Sequence, residues 1–288
     1  MASEHASLSP FQRELLELWL PDARVVADRS WGLTGTTVLQ VESKQRGRFI
    51  VKAGNATDHH MPRELRAYEQ WVPILASIGR APRMFRGHAE AKLLAVEFLA
   101  GELVEGGAAE GDSESYRQAG ELLARLHGQS GTLDDGAFER RQREESLGWL
   151  RGPHRIEAGD VERLVGHVET WPAPPSLVVP THGDWHPRNW MIDGGLVKAI
   201  DFGHAALRPA HTDFARLASK QFREDPLLEL AFLEGYGADP REPEAWLRTR
   251  IREAVATASW AHKVGDETFE AQGLRMVADV VRELGWRP

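Results

Sequence analysis

Residues 181–190 read Thr181-His182-Gly183-Asp184-Trp185-His186-Pro187-Arg188-Asn189-Trp190, and ten residues later comes Ile200-Asp201-Phe202-Gly203. This stretch decides the fold. An apolar run, Leu177-Val178-Val179, leads into it. Between its two polar parts lie two short strand-like runs, Trp190-Met191-Ile192 and Leu196–Ile200, separated by Asp193-Gly194-Gly195, a strong hairpin signal. Two loops held side by side by a hairpin can bring two carboxylates and an amide to one place. Asp184 is suited to accept a proton from a substrate hydroxyl. Asn189 and Asp201 offer hard oxygen ligands of the kind Mg²⁺ takes, one or two from protein and the rest from phosphate and water.

Moving toward the N-terminus, the pattern is mostly strand. Ala23–Arg29, Thr36–Glu42, Arg48–Lys52 and Ala91–Leu99 are β-branched or apolar runs closed by turn residues. A helix fits Pro62 to about Ala76, with Leu65, Tyr68, Trp71, Val72 and Leu75 at three- and four-residue steps. From Ser113 on the period is helical, and Ala119, Leu122, Leu123 and Leu126 form one apolar stripe. A β-rich first part followed by a helical second part is α+β in class. The change of pattern predicts a β-rich lobe over 1–98 and a helical lobe over 99–288, the second holding the 181–203 stretch.

Lys52 stands out because only six of the 35 basic residues are lysines and this one ends an apolar strand. Strand alternation puts it on one face with Ile50, opposite Phe49 and Val51. A compact ammonium there suits the α- and β-phosphates of a nucleotide but needs an anion to direct it. Glu64 on the following helix is the candidate, with Glu69 as the other carboxylate available. The loop Gly32-Leu33-Thr34-Gly35-Thr36-Thr37 would let backbone N–H groups approach phosphate closely, with a threonine hydroxyl as a further donor. No G-x-x-x-x-G-K-[ST] string occurs, so nothing supports a P-loop NTPase.

The His-Gly-Asp-x-x-x-x-Asn loop followed by Asp-Phe-Gly resembles the aminoglycoside phosphotransferase family, whose members share the catalytic loop and metal-binding Asp of protein kinases. The resemblance implies a two-lobed protein-kinase-like fold, ATP or GTP with Mg²⁺ as cofactors, Asp184 as catalytic base, and Asn189 and Asp201 as metal ligands. It further implies that His182 supports the loop, that His186 lies near the γ-phosphate, and that Lys52 and Glu64 form the kinase ion pair. Val96-Glu97-Phe98-Leu99-Ala100-Gly101-Glu102 resembles the interlobe hinge, where the backbone of Glu97 and Leu99 would pair with a purine. Between Asp201 and Asp213 there is no room for a protein kinase activation segment, and no Ala-Pro-Glu closes it. Asp213-Phe214-Ala215 instead resembles the corresponding turn of small-molecule kinases.

The formal charge of −8 (35 basic against 43 acidic residues) argues against nucleic acid and favours a cationic small molecule. With no cysteine, no secretory pattern at the N-terminus and no long apolar run, a cytoplasmic enzyme without a membrane partner is expected, as monomer or homodimer. His59, His60, His204 and His211 lack a third ligand at metal-site spacing. For the acceptor, Glu234, Glu253, Trp260 and Asp266 are the candidate contacts, since Glu253 and Trp260 share a helix face that could present a carboxylate and an aromatic to a cation. The expected reaction is transfer of the ATP γ-phosphate to a hydroxyl of a cationic antibiotic, an aminoglycoside or a basic cyclic peptide. A metabolic kinase acting on a sugar, amino alcohol or hydroxy amino acid, and a non-catalytic nucleotide-binding protein, are the alternatives.

Overall fold

The computed structural model describes residues 8–30 and 35–285; Gly32 lies outside the described residues. Along the chain run α1 (Pro10–Trp19), β1 (Arg24–Asp28), β2 (Thr36–Ser43), β3 (Gly47–Gly54), α2 (Met61–Gln70), α3 (Pro73–Ala76), β4 (Met84–His88), β5 (Leu93–Glu97), β6 (Glu102–Leu103) and α4 (Ser113–His127). There follow β7 (Thr132–Asp134), α5 (Ala137–Arg151), α6 (Ala158–Glu169), β8 (Ser176–Thr181), β9 (Trp190–Asp193), β10 (Leu196–Ala199) and β11 (Ala206–Arg208). The chain closes with α7 (Ala215–Ser219), α8 (Gln221–Glu224), α9 (Pro226–Tyr236), α10 (Pro243–Val264) and α11 (Glu267–Glu283). The class is α+β, with an antiparallel sheet followed by a mainly helical part.

Packing divides the chain into two compact units. One holds residues 1–129, 182–206 and 230–237; the other holds 130–181, 207–229 and 238–288. The division differs from the 98/99 boundary drawn from the change of periodicity. The loop with Asp184, the hairpin and Asp201 all belong with the N-terminal sheet, and so does α4.

In the first unit the sheet order is β1-β2-β3-β5-β4, all neighbours antiparallel. Phe49, Val51 and Ala53 of β3 point to one face and are buried with Leu39, Val41, Leu16 of α1 and Leu20 just after it. The alternation leaves Ile50 and Lys52 on the other face. There Val38 pairs with Lys52 and Val96 with Ile50, so these four side chains share one surface. α1 begins with a capping box, Ser9 Oγ accepting from Gln12 N–H and Gln12 Oε1 from Ser9 N–H. The continuous helix expected from Pro62 to Ala76 is instead two helices that break at Trp71–Val72. Pro73 brings no N–H to continue the ladder, and the backbone leaves the helical region at Trp71, φ −122°. β4 was not recognisable as a strand: Met84-Phe85-Arg86-Gly87-His88 does not alternate, and a bulge shifts its register on β5.

The second unit is built on α5, α6, α10 and α11. The stripe Ile251, Ala254, Val255 and Ala258 is fully buried against Met276, Val277, Val280 and Val281 of α11. A Cβ at Gly273 would lie 2.6 Å from Ala258 Cα, so α10 and α11 meet backbone to backbone. A three-stranded sheet, ordered β11-β8-β7, accompanies the helices.

Candidate active site

The hairpin β9–β10 forms with Asp193 facing Leu196, the turn the sequence places there. α4 holds it in place. Gln118, buried on that helix, accepts from Val197 N–H at 3.0 Å and donates to Gly195 O at 2.9 Å, while Arg80 donates to Val197 O and to Gln118. On this clamped hairpin the two polar loops are carried as one piece.

His182, fully buried, shapes the first loop. Its Nε2–H donates to Ile200 O at 3.0 Å, which makes Nδ1 the acceptor for Asp184 N–H at 3.3 Å. The imidazole is therefore a neutral bridge between the two loops, packed on Phe202 at 4.8 Å and edge-on to Trp185 at 5.1 Å. Gly183 has φ +82°, a left-handed conformation that a side chain would strain, and this turns Asp184 out of the strand direction. Asn189, 4% exposed, donates from Nδ2 to Asp184 O at 2.8 Å and to Asp184 Oδ2 at 2.9 Å. Its nitrogen is thus spent on orienting Asp184, and Oδ1 is the end left to meet a cation. His186 Nε2 lies 3.4 Å from Asp184 Oδ1, so His186 stands beside the proposed base.

Asp201 follows directly after the hairpin, at φ +64°. An aspartate tolerates this conformation better than most residues, though at a cost of roughly 1–2 kcal/mol. Lys52 helps hold it. Its Nζ lies 2.9 Å from Asp201 Oδ1 and 2.6 Å from Glu64 Oε1. Glu64 is 3% exposed and α2 delivers it from its first turn, whereas Glu69 is exposed, so Glu64 is the partner of Lys52. Burial opposes the charge on Lys52, but Asp201 and then Glu64 outweigh it and raise its pKa above the usual lysine value. Lys52 in turn holds the Asp201 carboxyl at about 2, against the effect of burial. Burial pushes the Glu64 carboxyl up against the pull of Lys52.

The oxygens of Asn189 and Asp201 suit a hard cation that completes its shell with phosphate and water. Among the described residues no group of three or more His, Cys, Asp or Glu could hold a metal alone. His59, His60 and His204 instead pack in a row with their rings tilted, centroids 4.3 and 4.5 Å apart.

Other expected contacts are placed differently. Thr36 Oγ1 donates to Asp58 Oδ2, so this hydroxyl already has an acceptor. Gly35 has no left-handed φ; what requires glycine there is Asn55, whose Cγ would lie 2.7 Å from a Cβ. Glu97 N–H donates to Arg83 O at 2.9 Å, so that donor is already engaged. In the second unit, Glu253 is paired with Arg216 at 3.1 Å, Trp260 packs edge-on against Phe269 at 5.9 Å, and Asp266 caps α11 by accepting from Phe269 N–H at 2.9 Å. Glu234, in the first unit, is exposed on α9. Asp58, which bonds the start of β2 to the start of α2, was not singled out in the sequence. An aspartate three residues before the first helical residues of α2 was the available signal.

The sequence model of the phosphotransferase enzyme family matches residues 27–250. No curated protein matches the chain. Among solved structures, a thermostable mutant of aminoglycoside phosphotransferase APH(4)-Ia in ternary complex with ADP and hygromycin B is 13% identical, with a TM-score of 0.68 over 95% of this chain and 98% of that one. Amicoumacin kinase hAmiN, in complex with AMP-PNP, Ca²⁺ and Ami, is 14% identical with a TM-score of 0.64 over 98% and 96%. Choline kinase LicA from Streptococcus pneumoniae is 12% identical with a TM-score of 0.64 over 95% and 98%. At these identities the likeness is one of fold.

Proposed function

From the premise that the chain belongs to the phosphotransferase enzyme family and is an ATP-dependent small-molecule phosphotransferase, we propose that its acceptor is a hydroxyl of a cationic antibiotic, an aminoglycoside first and a basic cyclic peptide second. The observation that carries the chemistry is the fixed pair Asp184–Asn189, joined through the hairpin to Asp201 and Lys52. Mg·ATP, when bound, supplies the γ-phosphoryl group and a divalent charge to neutralise it. Asp184 orients the acceptor hydroxyl and takes its proton, with Asn189 Nδ2 holding the carboxylate in place. Asn189 Oδ1 and Asp201 would hold Mg²⁺, and Lys52, directed by Glu64, would meet the phosphates. The face carrying Val38, Ile50 and Val96 offers the purine an apolar surface, with the carbonyl of Glu97 and the backbone of Leu99 at its edge.

The net charge of −8 supports a cationic acceptor through its long-range field. A second reading, an amino-alcohol kinase of metabolism, is favoured by one observation. Glu253 and Asp266, the carboxylates expected to receive a polycation, are engaged by Arg216 and by the N-terminus of α11. ADP release with Mg·ATP across aminoglycosides, basic peptide antibiotics, sugars and amino alcohols tests both. Turnover on an antibiotic, with a matching rise in resistance of an expressing strain, supports the first. Activity confined to an amino alcohol replaces it with the second.

A further inference from the structure

The segment Asn55-Ala56-Thr57-Asp58-His59-His60 joins β3 to α2, between Lys52 and Glu64 in sequence. A polar linker on the surface would ordinarily keep its carboxylates in water. Asp58 is 7% exposed. Its Oδ1 accepts from His60 N–H and Met61 N–H, both at 2.8 Å, and so serves two of the otherwise unpartnered donors at the start of α2. Its Oδ2 accepts from Thr36 Oγ1 at the start of β2. Burial works to raise this carboxyl, but the Thr36 hydroxyl and the two backbone donors hold it below its ordinary value.

The linker is itself built to hold that carboxylate. Asn55 Oδ1 accepts from the N–H groups of Thr57 and Asp58, each at 3.0 Å. Lys92, at φ +48°, donates from Nζ to the carbonyls of Asn55, Ala56 and Asp58 at 3.0, 2.7 and 2.6 Å. Gly54 makes room for the side chain, since a Cβ there would lie 2.9 Å from Asp58 Cγ.

Two residues on, His60 reaches in another direction. Its Nδ1–H donates to Gly203 O at 3.3 Å, and its ring packs on His204 at 4.5 Å. A Cβ on Gly203 would lie 3.6 Å from His60 Cβ and 3.8 Å from Glu64 Oε2, so this glycine sits against the first turn of α2. Burial, then the neighbouring His59 and Arg63, pushes the His60 imidazole down, which favours the neutral ring that donates from Nδ1.

We infer that Asp58 and His60 are positioning residues for the phosphate end of the nucleotide site: Asp58 ties the end of the glycine-bearing loop, at Thr36, to the first turn of α2, and His60 ties that turn to Gly203. Three pieces of chain far apart in sequence, each expected to act on phosphate or metal, thereby share one corner. Neither residue touches substrate; each acts through Lys52, Glu64 and Asp201. The inference rests on the assignment of Lys52 and Asp201 to phosphate and metal made above.

The test compares affinities of the full-length chain for Mg·AMP-PNP and for adenosine, which lacks the phosphates, by titration calorimetry. The variants are Asp58→Ala, His60→Leu, His60→Asn and Lys52→Ala. Loss of one tie, Thr36 to α2 in Asp58→Ala or α2 to Gly203 in His60→Leu, is expected to weaken Mg·AMP-PNP about tenfold or more. Adenosine affinity should stay within about twofold, and His60→Asn, whose amide can replace the Nδ1 donor, should recover most of the loss. Equal weakening of both ligands would mean general loosening and overturn the inference. So would wild-type Mg·AMP-PNP affinity in His60→Leu, which also covers the case where Asp58→Ala fails to fold. Unchanged binding in Lys52→Ala would instead remove the phosphate assignment beneath it, and with it the corner's role.

Discussion

Replacing Glu64 by Gln keeps the size of the side chain and removes its charge. In the structure Lys52 Nζ sits 2.6 Å from Glu64, which is 3% exposed, and 2.9 Å from Asp201, which is half exposed. Breaking a buried ion pair outright commonly costs 3–5 kcal/mol, because a charge is left without a partner. Here Asp201 remains, so the loss should be nearer that of one hydrogen bond to a charged group, about 1.5–3 kcal/mol. Lys52 should then settle on Asp201 and be drawn from the phosphates. Mg·AMP-PNP should bind roughly 10- to 150-fold more weakly, with a corresponding rise in KM for ATP. Calorimetry and a coupled ADP-release assay read both, and Glu69→Gln, on the exposed side of α2, serves as control. Binding within twofold of wild type in Glu64→Gln, or an equal loss in Glu69→Gln, would refute the argument that Glu64 directs Lys52.

Asp184→Asn should cut kcat by about 10²–10⁴ while leaving Mg·AMP-PNP affinity within a few-fold, as expected of a base that acts on the acceptor. Asp266→Ala removes the N-cap of α11 and should cost about 1 kcal/mol, lowering Tm by about 2–4 °C; if Asp266 is only a cap, the KM for the acceptor will not move. His211 is buried, donates to or accepts from Thr249 Oγ1 at 3.1 Å, and is held at about 4 by burial, then by Arg252 and Arg248. Its folded pKa lies below the unfolded one, so the unfolded chain takes up the proton first on acidification. Stability from this group is complete above about pH 6.5 and is lost as pH falls from there toward 4, by at most about 3 kcal/mol. Urea denaturation at several pH values should show this slope in the wild type and a shallower one in His211→Gln.

The geometry of the 182–189 loop was legible because its residues are close in sequence. His182, Gly183, Asp184 and Asn189 lie within eight residues, and the hairpin that brings Asp201 to them carries an unmistakable turn. The face of β3 with Lys52 could be read from strand alternation, and the stripe of α10 from helical period. What could not be read depends on partners distant in sequence. Gly35 looks like a phosphate-loop glycine, yet its need for a bare Cα comes from Asn55. Glu253 looks like an acceptor contact, yet whether its carboxylate is available depends on Arg216, from another helix. The packing boundary was hidden for the same reason, since Gln118 and Arg80 fasten the hairpin to the N-terminal part through contacts spanning tens of residues.

The bond between Lys52 and Asp201 also bears on the order in which a cation and a nucleotide can arrive. An ammonium and a divalent ion both seek the same carboxylate, and each is attracted there by the same negative charge. A bare ion on that carboxylate would compete with Lys52 for its charge and leave the ammonium leaning on Glu64. An ion already riding on a triphosphate brings the lysine a new counter-charge as it takes the old one. The exchange is then even, so on the proposed assignment Asp201 would admit a metal more readily as a passenger of the nucleotide than ahead of it.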